Sequence, residues 1–203
     1  MLESGHRLSE GFAQMNSSDS SKLLSAGWIS ACSVVNLRGD ASDLAFQAAV
    51  KRALQVELPV AACSTNLSAA IRLVWVGPDD WFVLSSQYSA QELCARLNQE
   101  LSGMHKAVTD VSGGYRVLRL GGKCTREILA QGCPLDLHPR EFKIGDSAGS
   151  VFFKASIWLW QRDEGPTFDV LVRSSFAGYV WEMLRRCSKE IELIERIGVT
   201  FSE

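Results

Sequence analysis

Two stretches of this chain repeat one plan. Residues 74–97 read VWVGPDDWFVLSSQYSAQELCARL, and residues 159–184 read LWQRDEGPTFDVLVRSSFAGYVWEML. Each runs as an aromatic strand, an acidic Gly-Pro turn, a second strand, a Ser-containing cap and an amphipathic helix. Gly, Pro and Asp supply the turn, and β-branched and aromatic flanks supply the strands. SAQE at 89–92 is a capping box, with the Ser89 hydroxyl and the Glu92 carboxylate closing each other's amides. A chain that builds hairpin-then-helix twice is held to an α+β fold. It has two related halves, each an antiparallel sheet with helices on one face. We place the halves at about 32–112 and 113–196, within a domain of 28–203.

The intervening sequence fits that frame. SVVNL at 33–37 predicts a strand. Phe46, Ala49, Val50, Ala53 and Leu54 then recur at helical spacing, with Asp40 or Ser42 as N-cap. AVTDV at 107–111 and YRVLRL at 115–120 predict strands, and a short helix covers about 124–131. SVFFKASIWLWQR at 150–162 reads as strand, tight bend, strand. A helix from about 175 carries Phe176, Val180, Met183, Leu184, Cys187, Ile191 and Ile194 on its buried face. Residues 1–27 are polar and include SSDSS. They read as an arm, either disordered or ordered only on a partner.

Composition removes several function classes. A net charge of −2 with no basic run gives no electrostatic case for nucleic acid or for a membrane surface. The apolar stretches are shorter than the ~18 residues of a membrane span. The start, MLESGHRLSEGFAQ, lacks the cationic and apolar regions of a signal peptide, so the expected location is cytoplasmic. The six cysteines form no CxxC pair and are expected to be reduced, small and buried.

The chemistry-bearing cluster is QGCPLDLHPREF at 131–142. Cys133 and His138 stand five apart, without the four ligands of a zinc site or the third group of a nucleophile pair. An architectural reading accounts for more of the residues. Gly132 is expected to end the helix in the left-handed conformation, and Pro134 stops its continuation. Pro139 extends His138 and starts one turn, PREF. Leu135 and Leu137 then face one side, and Asp136 and His138 the other. GGKCT at 121–125 lacks a phosphate loop's leading glycine, because Val117 stands there. There is no GxGxxG and no GxSxG. Asp79-Asp80 and Asp163-Glu164 read as solvated turns. The six tryptophans, among them Trp75, Trp81, Trp158 and Trp160, read as core with an interface as alternative. No catalytic, cofactor-binding or metal-binding residues are assigned.

VGPDDWFVL, TDVSGGYRVLRLGG, ILAQGCPLDLHPREF and DEGPTFDVLVRSSFAGYVWEML together resemble the γ subunit family of heterotetrameric sarcosine oxidase, from about Arg72 to Arg186. Gly113-Gly114 departs from the bulkier polar residues frequent there. The resemblance implies a fold similar to the folate-binding aminomethyltransferase architecture. It implies an oxidoreductase complex that demethylates sarcosine to glycine, makes peroxide and passes a one-carbon unit to tetrahydrofolate. The implied partners are α, β and δ subunits. The implied cofactors are FAD, FMN and NAD on α and β, zinc on δ, and none on this chain. The chain's implied role is support of assembly without an active site of its own. Cys133, Pro134, Leu135, Asp136, Leu137, His138 and Pro139 are the expected contact residues. Two alternatives are a subunit of a related N-methyl amino acid oxidase or dehydrogenase, and a free-standing folate-binding aminomethyltransferase-like protein.

Overall fold

The structure, a computed structural model, describes residues 23–197 and Val199. The elements follow in chain order. β1 (Leu23–Trp28) and β2 (Ser33–Arg38) precede α1 (Leu44–Leu54). β3 (Thr65–Leu67), β4 (Arg72–Gly77) and β5 (Asp80–Ser85) lead to α2 (Ala90–Glu100). β6 (Ala107–Asp110) and β7 (Tyr115–Gly121) precede α3 (Thr125–Ala130). β8 (Ser147–Phe152), β9 (Ala155–Asp163) and β10 (Thr167–Arg173) lead to α4 (Ala177–Cys187) and β11 (Glu192–Glu195).

A five-stranded sheet has the order β3-β4-β5-β2-β6, and a six-stranded sheet the order β11-β1-β7-β10-β9-β8. The sheets pack face to face, with helices on the two outer sides. Phe46, Ala49 and Val50 of α1 and Leu93 and Leu97 of α2 meet Val35, Leu37, Leu73, Trp81 and Val83 in one apolar layer. Ile128, Val180 and Leu184 meet Leu118, Leu120, Leu159, Phe168 and Val170 in another. Between the sheets lie Val34, Val74, Phe82 and Leu84, facing Val117, Trp160 and Leu171. Strands covered on both faces must be apolar at nearly every position, and β5, β7 and β10 are buried that way. At one border the sheets are stitched: Thr65 N–H donates to Gly145 O (2.7 Å), and Ser147 N–H to Cys63 O (2.8 Å).

Four expectations are corrected. First, α1 is capped by Asp43, whose carboxylate accepts from Ala45 N–H at 2.8 Å; Asp40 closes its own turn on Ser42 N–H, also at 2.8 Å. Second, the final helix stops at Cys187. Ile194 keeps helical spacing but pairs in parallel with Ser25, because the bare edge of β1 offers a ladder of backbone partners. Third, the last residues of the predicted arm lie inside the fold. Leu23–Trp28 inserts between β7 and β11 with Leu24 and Ala26 buried; the rest of the arm, 1–22, lies outside the described residues. This strand belongs to the sheet otherwise formed by 115–195 and so crosses the division drawn from sequence. Fourth, the cysteines are not uniformly buried. Cys124 and Cys133 are, Cys32, Cys94 and Cys187 are half-buried, and Cys63 is exposed.

Candidate functional site

The connector after α3 is built as architecture. Cys133 N–H reaches back to Leu129 O at 2.8 Å, ending the helix. Gly132 does not take the left-handed conformation. It is small for another reason: a Cβ there would sit 2.5 Å from the Phe153 ring, and Phe153 N–H donates to Gly132 O at 2.7 Å. Leu137 is buried and Leu135 packs half-buried beside it, while Pro134, Asp136, His138 and Pro139 are exposed. Asp136 accepts from His138 N–H (2.9 Å), and His138 Nδ1 accepts from Arg140 N–H (3.2 Å). Glu141 and Phe142 N–H both return to His138 O, forming the PREF turn. The seven expected contact residues are therefore contiguous, but they do not share one exposed face.

The structure separates the thiol from the imidazole. Cys133 points inward with Sγ 3.5 Å from Ser150 Oγ, while His138 faces solvent. Among the described residues, no group of three or more His, Cys, Asp or Glu could hold a metal ion. Arg126 fastens the connector. Its Nε donates to Leu137 O at 2.7 Å, its Nη2 donates to Gln161 Oε1 at 2.9 Å, and its guanidinium lies 5.4 Å from the Phe168 ring centroid.

The charged centre of the molecule lies elsewhere, between the sheets. Arg119 grips Asp169 with two hydrogen bonds, Nε to Oδ1 at 2.7 Å and Nη2 to Oδ2 at 3.0 Å. Arg162 Nη1 approaches Asp169 Oδ2 at 3.5 Å. From the facing sheet, buried Arg72 donates to Thr65 Oγ1 at 3.1 Å and lies 5.7 Å from the Trp160 ring centroid. Burial pushes the Asp169 carboxyl upward, and the Arg119 charge opposes that push. The Arg72 guanidinium is pushed downward by burial. Sequence reading passed over these residues. The available signal was a charge flanked by apolar residues in each of two strands, Arg119 in YRVLRL and Asp169 in TFDVLV, of opposite sign.

Cys32 borders this seam, on a cavity of about 440 Å³ also lined by Trp28, Ser30, Tyr115 and Arg116. Burial, then the nearby Asp169 charge, pushes its thiol up to about 12. The thiol therefore stays protonated and weakly nucleophilic at neutral pH. Asp79 pairs with Arg38 at 2.7 Å, and Asp80 accepts from the Asn36 amide at 2.6 Å, so this carboxylate pair serves the turn. Trp81 is fully buried with its indole N–H on Pro59 O at 2.8 Å. Trp160 is also buried, while Trp75 and Trp158 are half-buried.

Two face-to-face, largely antiparallel sheets with outer helices and an ionic seam between them define an α+β class of protein. Aminomethyltransferase T of the glycine cleavage system from Bartonella henselae has this fold: the TM-score is 0.63 at 15% identity, over 84% of this chain and 47% of that one. Within the class the assignment is narrower. Residues 38–190 match the description "Sarcosine oxidase, gamma subunit family", and the chain belongs to that family. It is 28% identical over 169 residues to sarcosine oxidase subunit gamma of Corynebacterium sp. (strain P-1), covering 83% of this chain and 80% of the relative. It is 27% identical over 157 residues to the subunit from Arthrobacter sp., covering 77% and 75%. The heterotetrameric sarcosine oxidase from Corynebacterium sp. U-96, solved with pyrrole 2-carboxylate, contains a chain of matching fold. That match has a TM-score of 0.76 and 25% identity, over 82% of this chain and 84% of that one.

Proposed function

We propose that this chain is an assembly subunit of a heterotetrameric sarcosine oxidase, without an active site of its own. The observation that carries the reading is the family match over 38–190, joined to a fold in which Cys133 is buried and His138 exposed. The partners in this reading are α, β and δ chains. FAD, FMN and NAD belong to α and β, zinc to δ, and tetrahydrofolate takes up the one-carbon unit. The connector residues 133–139, held by Arg126, are the proposed contact segment, and residues 1–22 are a proposed arm on the partners. The proposed location is the cytoplasm; none of the described helices is long and apolar enough to cross a membrane.

Co-expression of a tagged copy with the neighbouring reading frames tests the reading. The expected product is a yellow complex that oxidises sarcosine. A chain that purifies alone and colourless overturns it. The likeness to aminomethyltransferase T supports a second reading, a folate-binding protein acting alone, although this chain spans only 47% of that relative. Calorimetric titration of the isolated chain with tetrahydrofolate separates the two, since an assembly subunit alone gives no heat.

A further inference from the structure

The six-stranded sheet ends on β8, whose sequence SAGSVF carries no charge and no proline. Edge strands ordinarily use such residues to block pairing with other chains. The opposite edge does so, since β11 reads ELIE.

The unpaired groups on β8 can be located from its register. Phe152 pairs with Ala155 across the two-residue loop Phe153-Lys154, and bonded and non-bonded pairs alternate from there. Gly149, opposite Trp158, and Val151, opposite Ser156, therefore turn their N–H and C=O groups outward. Two outward positions are already filled by this chain's own backbone. Ser147 N–H donates to Cys63 O at 2.8 Å, and Phe153 N–H to Gly132 O at 2.7 Å. Between these closures, Gly149 and Val151 have no outward backbone partner among the described residues.

The rim of this gap is apolar. Val151 is 38% exposed and Phe153 39% exposed. Phe153 has a φ of 53° at the first position of its two-residue loop, the place where a hairpin with one positive φ ordinarily takes glycine. Strain of this kind persists where the surroundings impose it and clusters at functional positions. On the inter-sheet side, the absent Gly149 side chain lets Trp158 lie close; a Cβ there would be 3.2 Å from Trp158 Nε1.

We propose that this gap takes one short extended segment from another chain of the oxidase complex. Its backbone adds about two rungs to β8, at Gly149 and Val151, and its apolar side chains lie against Val151 and Phe153. At about 3.3 Å per residue, the five positions 148–152 between the closures admit a segment of up to roughly five residues, three of which suffice to reach both Gly149 and Val151. A second copy of this chain does not fit, because it would bring its own closing segments, around Cys63 and Gly132, into the same gap. The matching solved enzyme is heterotetrameric, so chains of other sequence are at hand. This inference rests on the assembly reading above.

The test is amide hydrogen exchange on the full chain, free and in the co-purified complex. The Gly149 and Val151 amides are expected to exchange at least tenfold more slowly in the complex. Val151→Pro removes an outward N–H at an edge position that tolerates proline. It is expected to leave the melting temperature of the free chain within a few degrees and to reduce its retention in the complex at least tenfold. Should that variant fail to fold, Val151→Lys, which keeps the β9 ladder, is expected to show the same loss of retention. Equal exchange in free and assembled chain overturns the inference while leaving the assembly reading intact. Protection already present in the free chain, and lost on removing residues 1–22, overturns it by assigning the gap to this chain's own N-terminal segment. If no complex forms, both readings fall together.

Discussion

Arg119 and Asp169 face each other across adjacent strands β7 and β10, joined by two near-parallel hydrogen bonds, and the Asp169 side chain is fully buried. The pair anchors the seam between the sheets. Its net contribution is small, because desolvation offsets the attraction, yet removing one member strands a charge. Arg119→Met is expected to lower stability by roughly 3–5 kcal/mol in urea denaturation. Arg119→Met combined with Asp169→Leu is expected to recover only part of that loss, because Arg162 then loses its own contact with Asp169. Additive losses would show that the two side chains do not act as a pair.

Gly132 tests the connector. Gly132→Val places a branched side chain against the Phe153 ring, at a distance no packed contact tolerates. A loss of about 1–3 kcal/mol in melting experiments is expected, the usual range for overpacking. Phe153→Ala in the same background is expected to relieve part of it. An unaltered melting temperature in Gly132→Val would show that the ring is free to move aside.

Cys32 makes stability fall at alkaline pH. Its thiol is held near 12, against an ordinary 9.0. Below about 9 both folded and unfolded thiols are protonated, and the site contributes its full share. Between about 9 and 12 the unfolded thiol ionises while the folded one does not, so stability declines as pH rises. The expected outcome is a wild-type denaturation midpoint that drops more steeply above pH 9 than that of Cys32→Ala. Parallel curves would remove Cys32 as the cause.

His138 separates chemistry from architecture. Its ring faces solvent and accepts one backbone N–H at 3.2 Å. His138→Ala is expected to cost no more than about 1 kcal/mol, one local hydrogen bond, and to leave turnover of the assembled complex within twofold. Complete loss of turnover with assembly intact would overturn the architectural assignment.

The capping box of α2 offers a control. Ser89 Oγ accepts from Glu92 N–H at 3.2 Å, and Glu92 accepts from Ser89 N–H at 2.8 Å. Ser89→Ala is expected to lower stability by about 1 kcal/mol in thermal melts. A larger effect would point to a role beyond helix capping.

Features set by neighbours in the chain were legible without coordinates. SAQE specified its cap, GPDD its hairpin, and the periodicity of Phe46 to Leu54 its helix, because turn chemistry and helical spacing act over a few residues. QGCPLDLHPREF could also be read as a stop and a stiff connector, since prolines restrict the backbone locally. Features set by residues far apart in sequence could not be read. Arg119 and Asp169 are fifty positions apart, and only strand register makes them partners. Gly132 looked like a left-handed cap and proved to be a clearance for Phe153, twenty-one residues away. Ile194 kept the spacing of a helix yet joined a strand, because β1 had an open edge. Local propensities amount to tenths of a kcal/mol per residue. Burying a charge pair or filling a sheet edge involves several, and that larger scale is decided only when the chain closes on itself.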